Sequence, residues 1–189
     1  MKISNELLRK IPKVELHCHL DGCLNPGTIV DLAEKQNVSL PSTDSNELKN
    51  ILSIGEKRVS LEDYLEKFKI TLSVLQTPES LERVAFELIE EVAIENVRYI
   101  EVRYSPILHT KKGMTPEESV ESVLNGLKRG EKEFGVKSGI IICGIRNIGP
   151  KISLQLAKLT LNYKNKGDLI FLIGKIVEDI SSSEYLYSF

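Results

Sequence analysis

Two histidines one residue apart, His17 and His19, are the side chains of this 189-residue sequence best spaced to do chemistry. On a β-strand, residues i and i+2 share a face with their Cα atoms roughly 6.6–7 Å apart, so both imidazoles can reach one metal ion beyond the strand end. Imidazole is the commonest biological ligand for zinc. The surrounding segment, Lys13-Val14-Glu15-Leu16-His17-Cys18-His19-Leu20-Asp21-Gly22, alternates in polarity. It predicts an apolar face of Val14, Leu16, Cys18 and Leu20 and an opposite face of Glu15, His17, His19 and Asp21. The alternation alone fits a half-exposed strand with a wet side equally well, and Asp21 before Gly22 also reads as a turn residue.

The elements that must position these groups are announced by capping and periodicity. Asn25-Pro26, Thr77-Pro78 and Thr115-Pro116 each place a capping side chain before a proline at the first helical position. Ser60 with Asp63, and Thr115 with Glu118, add an acidic group three residues after the cap. Leu81, Val84, Ala85, Leu88, Ile89 and Val92 recur at helical spacing, as do Val120, Val123, Leu124 and Leu127, and then Ile152, Leu156 and Leu159. Strands are predicted at Val14 to Leu20, Val97 to Tyr104 and Gly139 to Ile145, with a fourth candidate at Leu169 to Ile173. Strand followed by helix, repeated, implies a parallel sheet with right-handed crossovers. The stretch from Asn25 to Ile94 makes the first crossover an enlarged one, long enough to overhang a site at the strand ends.

Composition narrows the function classes. Hydrophobic residues at 41% and charged residues at 28% are ordinary for a soluble globular domain. A net charge of −2 without a dense basic run gives no basis for nucleic-acid binding. No apolar run approaches a membrane span and the N-terminus lacks the apolar core of a signal peptide, so a cytoplasmic protein is expected. Cys18, Cys23 and Cys143 form no Cys-x-x-Cys pair, which sets aside a thiolate zinc site, a disulfide framework and the deaminases built on His-x-Glu plus Pro-Cys-x-x-Cys.

The first block resembles the first-strand signature of the adenosine deaminases within the metal-dependent amidohydrolase barrels. Tyr99-Ile100-Glu101-Val102-Arg103-Tyr104-Ser105-Pro106 resembles that family's second strand and Ile142-Cys143-Gly144-Ile145-Arg146 its third. The resemblance covers about Ile11 to Gly167. It implies an α/β fold, the N-terminal part of a (β/α)8 TIM-type barrel with three to four strands, because a whole barrel typically needs about 250 residues. It also implies Zn2+ held by His17 and His19, and a purine nucleoside contacted by His19 and by Asp21 at its 5′-hydroxyl. A carboxylate at that position would repel a 5′-phosphate and so favour nucleosides over nucleotides. Leu61, Tyr64, Leu65 and Phe68, at i, i+3, i+4 and i+7, form a stripe that periodicity alone assigns to the core. The family places a hydrophobic lid over the purine there. Glu101 and Arg103 share a strand face and are expected to form a structural ion pair. His109, past Ser105-Pro106, is expected to be a solvated loop histidine.

The family's later groups, a third histidine, a His-Ala-Gly-Glu stretch with the general acid, a further histidine and an Asp-Asp pair, do not occur in this sequence, whose three histidines are His17, His19 and His109. Residues 1–167 are therefore expected to be the N-terminal portion of a deaminase barrel, catalytically incomplete alone, with 168–189 a divergent tail that a shifted reading frame would explain. The activity implied for the full-length parent is hydrolysis of adenosine and 2′-deoxyadenosine to the inosine nucleosides and ammonia. Deamination of adenine or a modified nucleotide, and a non-catalytic truncated partner or regulatory fragment, are the alternatives. Three or four parallel strands leave open barrel edges, which predicts self-association.

Overall fold

The computed structural model describes residues 4–53, 61–145, 148–163 and 171–176. The elements are α1 (Asn5–Lys10), β1 (Lys13–His19), a 3-10 turn (Leu20–Gly22), α2 (Pro26–Gln36), α3 (Ser45–Leu52), α4 (Leu61–Val74), α5 (Pro78–Ile94), β2 (Val97–Tyr104), a 3-10 turn (Pro106–His109), α6 (Pro116–Phe134), β3 (Lys137–Ile145), α7 (Pro150–Tyr163) and β4 (Phe171–Ile176). The strands form one parallel sheet in the order β1-β2-β3-β4, the arrangement that strand-helix repetition demands. β2 begins and ends where the sequence placed it, and the fourth strand is present at Phe171–Ile176.

Local chemistry explains the helix starts. Asn25 accepts from the Gly27 N–H, and Thr77 and Thr115 each form a reciprocal capping box, with Ser80 and Glu118. Ser60, the fourth expected cap, lies outside the described residues. α1 and α3, which the sequence did not single out, start on Ser4 and Asp44 caps. No helix among the described residues is long and apolar enough to cross a membrane.

The core lies between the sheet and its helices. Ile100, Val102 and Tyr104 of β2, with Ile140 and Ile142 of β3, are fully buried alongside Leu81, Ala85 and Ile89 of α5 and Val120, Val123 and Leu127 of α6. α5 and α6 approach closely because Gly126 and Gly130 face α5. A Cβ on Gly126 would stand 2.8 Å from Ala85 Cβ, and one on Gly130 2.7 Å from Ile89 Cβ, closer than real side chains pack.

β1 departs from simple alternation. Val14 pairs with Tyr99 and Glu15 with Ile100, whereas Cys18 pairs with Val102 and His19 with Arg103, so β1 carries one extra residue between Glu15 and Cys18. Paired residues of parallel strands project to the same side. Glu15 therefore lies on the side of buried Ile100, and Val14 on the side of Tyr99, Glu101 and Arg103. The expected apolar face is thus corrected: Cys18 and Leu20 are buried, but Val14 and Leu16 are 59% and 56% exposed. Leu20 and Asp21 also leave the strand, which ends at His19, and sit in the 3-10 turn.

Candidate active site

The two histidines follow the register shift and share one face of β1. His17 and His19 lie with ring centroids 5.3 Å apart and planes tilted by 37°, on the side of β1 that faces Arg103. At the shift, the backbone N–H of His17 donates to Glu15 Oε1 at 2.9 Å, so a side chain satisfies a donor in the irregular stretch. Arg103 Nη1 stands 2.9 Å from His17 Nδ1 and 2.5 Å from Nε2. Burial, and then the Arg103 guanidinium, hold the His17 imidazole below the usual histidine range. Burial, His17 and Arg103 together push His19 down to about 4. Both rings are therefore neutral at pH 7, the form that binds a metal.

Asp21 is buried by the turn that follows, and its Oδ1 lies 4.0 Å from His19 Nδ1. Phe68 of α4 meets His19 edge-on, with centroids 6.5 Å apart. A Cβ at Gly22 would stand 3.4 Å from Phe68 Cζ, within ordinary van der Waals contact. Asp21, Gly22, Phe68 and Thr71, with Lys49 and Lys67, line a cavity of about 350 Å³. Leu65 is half-buried on the same helix. The side chains of Leu61 and Tyr64 lie outside the described residues.

Two expectations are corrected. Glu101 and Arg103 form no ion pair: Glu101 accepts from the Tyr99 hydroxyl at 3.1 Å, while the Arg103 guanidinium is turned to His17. His109 is fully buried instead of solvated. Its Nδ1 donates to the Leu75 carbonyl at 2.8 Å, its ring packs 5.6 Å from that of Tyr104, and burial pushes its pKa down to about 4. Sequence reasoning also missed the service of Glu15 to the His17 amide and the lysines of the cavity. Neither has a local signature, since both depend on register or on the packing of α3 and α4 over the turn.

As a metal centre the donor set is partial. Two neutral imidazoles at this separation can share one ion, but no cluster of three or more His, Cys, Asp or Glu able to hold a metal occurs among the described residues.

Comparison with known proteins identifies the family. A family model described as adenosine deaminase matches residues 12–175. An adenosine deaminase of Clostridium botulinum is 47% identical over 159 residues, which is 84% of this chain and 48% of that protein. A probable adenosine deaminase of Dictyostelium discoideum is 37% identical over 188 residues, covering 100% of this chain and 24% of its own length. Among solved structures, an adenine deaminase from Arthrobacter aurescens superposes with a TM-score of 0.75 at 27% identity, over 89% of this chain and 49% of that one. A zinc-bound amidohydrolase from Burkholderia ambifaria superposes with a TM-score of 0.79 at 24% identity, over 93% of this chain and 48% of that one. The chain spans about half the length of the C. botulinum relatives it matches. With its His-x-His strand, buried aspartate and incomplete parallel barrel, the chain belongs to the adenosine deaminase family.

Proposed function

We propose that this chain supplies the nucleoside-binding half of a zinc-dependent deaminase that hydrolyses adenosine and 2′-deoxyadenosine to the inosine nucleosides and ammonia, a cytoplasmic step of purine salvage. The observation that carries the reading is the pair of neutral imidazoles of His17 and His19 at 5.3 Å, beside a buried carboxylate and an open cavity. These two rings would hold the zinc. When bound, zinc lowers the pKa of a water to about 7 and so supplies hydroxide for attack at C6 of the purine near neutral pH.

The chain's own residues do the rest of what this half contributes. Glu15 fixes the strand at its irregular point, and burial together with the Arg103 guanidinium holds the His17 imidazole below the usual histidine range. Asp21 accepts from the ribose 5′-hydroxyl, and His19 contacts the nucleoside at the same edge. Phe68, with Leu65 along α4, forms a lid that excludes water, which strengthens the polar contacts beneath it. The general acid belongs to the family's later segments. By itself the 189-residue sequence is therefore a weak zinc binder without hydrolysis.

A fusion of residues 1–175 to the C-terminal half of the C. botulinum relative tests this reading. The fusion should convert adenosine to inosine, followed by ultraviolet absorbance, with adenine and the 5′-monophosphate turned over far more slowly. His17→Ala and His19→Ala should abolish the activity. A folded, active fusion indifferent to both substitutions would refute the assignment. Preferential turnover of adenine or of a modified nucleotide would move the substrate to that alternative. β1 and β4 are the outer strands of the described sheet, and exposed Val14 and Leu16 lie on the former, which supports self-association of the chain alone. Sedimentation velocity reads it directly.

A further inference from the structure

Behind the histidines, on the buried side of β1, the sulfurs of Cys18 and Cys23 stand 3.3 Å apart. Both are free thiols, five residues apart in sequence, one at the end of the strand and the other capping the 3-10 turn. A disulfide requires an S–S separation of about 2.05 Å, so closure needs an approach of only about 1.3 Å. Cys18 is 8% exposed while Cys23 is half-buried, so an oxidant meets Cys23 first. Cys143, the third thiol, is 1% exposed in β3, with its sulfur directed to the Ile141 carbonyl at 3.8 Å.

We propose that Cys18 and Cys23 form an oxidative modification site, closed to an intramolecular disulfide by a hydroperoxide. An oxygen of the peroxide is transferred to the Cys23 sulfur as the O–O bond breaks, giving a sulfenic acid and one water. The Cys18 sulfur then attacks the Cys23 sulfur, the S–O bond breaks, and a second water leaves. Two thiol hydrogens and two electrons pass to hydrogen peroxide, yielding one disulfide and two waters. The S–H hydrogen bond from Cys18, which draws the Cys23 thiol below its ordinary range, supports Cys23 as the first site. The closed ring encloses His19, Leu20, Asp21 and Gly22, so oxidation staples the strand end to the turn that presents Asp21. This holds whether or not the deaminase assignment does.

Peptide mapping decides it, because trypsin leaves both thiols on one peptide, Val14–Lys35, and Cys143 on another, Ser138–Arg146. After hydrogen peroxide treatment of the reduced full chain, followed by iodoacetamide, Val14–Lys35 should carry no adduct and be lighter by two hydrogens. Ser138–Arg146 should stay fully alkylated, and dithiothreitol should restore both adducts on the first peptide. Cys23→Ser, close in size, should prevent the two-hydrogen loss. A Val14–Lys35 peptide that keeps both adducts, a bridge to Cys143 or between chains, or oxidation that dithiothreitol does not reverse would overturn the proposal.

Discussion

β1 and β3 are parallel strands of one sheet, yet they live in opposite environments. Every residue of β3 after Lys137 is buried, because β2 and β4 flank it and α6 and α7 pack against it. In β1 only Cys18 is buried, β2 is its sole strand partner among the described residues, and an extra residue interrupts the register before the histidines. The fold is thus anchored on the β2–β3 side with α5 and α6, while β1, the strand proposed to carry the chemistry, is mostly exposed and has one strand partner among the described residues. Functional strands can tolerate irregularity where packing contributes little, and a bulge there re-aims a side chain at small cost.

The contrast can be broken by deletion of side chains. Ile142→Ala in β3 should destabilise the chain by about 2–5 kcal/mol in urea denaturation, because a fully buried side chain leaves a cavity. A loss under 1 kcal/mol would mean that β3 is not the anchor. His109 extends the same packed region past the end of β2. Its folded pKa of about 4 lies below the ordinary 6.5, so the unfolded chain takes up the proton first. Its stabilising contribution is complete above pH 6.5 and is lost as pH falls towards 4. His109→Asn, which keeps an N–H for Leu75, should remove up to about 3 kcal/mol of that pH dependence. Identical stability profiles for the two proteins would show the imidazole to be solvated.

Effects on the β1 side should be smaller. Glu15→Ala removes the acceptor of the His17 amide and should cost about 1 kcal/mol, with a lower zinc affinity in the same variant. Leu16→Ala should lie within about 0.5 kcal/mol of the parent, since the side chain is 56% exposed. If Leu16→Ala were as damaging as Ile142→Ala, the distinction between the two strands would fail.

Much of this contrast was legible in the sequence, but unevenly. Caps standing just before a proline gave the starts of α2, α5 and α6, and the stripe from Leu81 to Val92 identified the buried side of α5, because these signals are local. The His-x-His spacing put both imidazoles on one face near the end of β1 for the same reason. The register shift was not legible: an alternating string reads the same with or without one extra residue, and only pairing with Tyr99 and Ile100 reveals it. That is why the alternation groups Val14 and Leu16 on one face with Cys18 and Leu20. His109 was misplaced because its burial depends on Leu75 and Tyr104, contacts that no spacing encodes. The Arg103 contact with His17 likewise joins residues far apart in sequence.

The central claim is that His17 and His19 together form a metal site, and zinc titration against a chromophoric chelator tests it most directly. The 189-residue chain should bind one zinc weakly, far below the affinity of a site with three protein ligands, and His17→Ala and His19→Ala should each abolish that binding. Zinc binding unchanged in both variants would contradict the account, as would tight stoichiometric zinc that survives loss of either histidine.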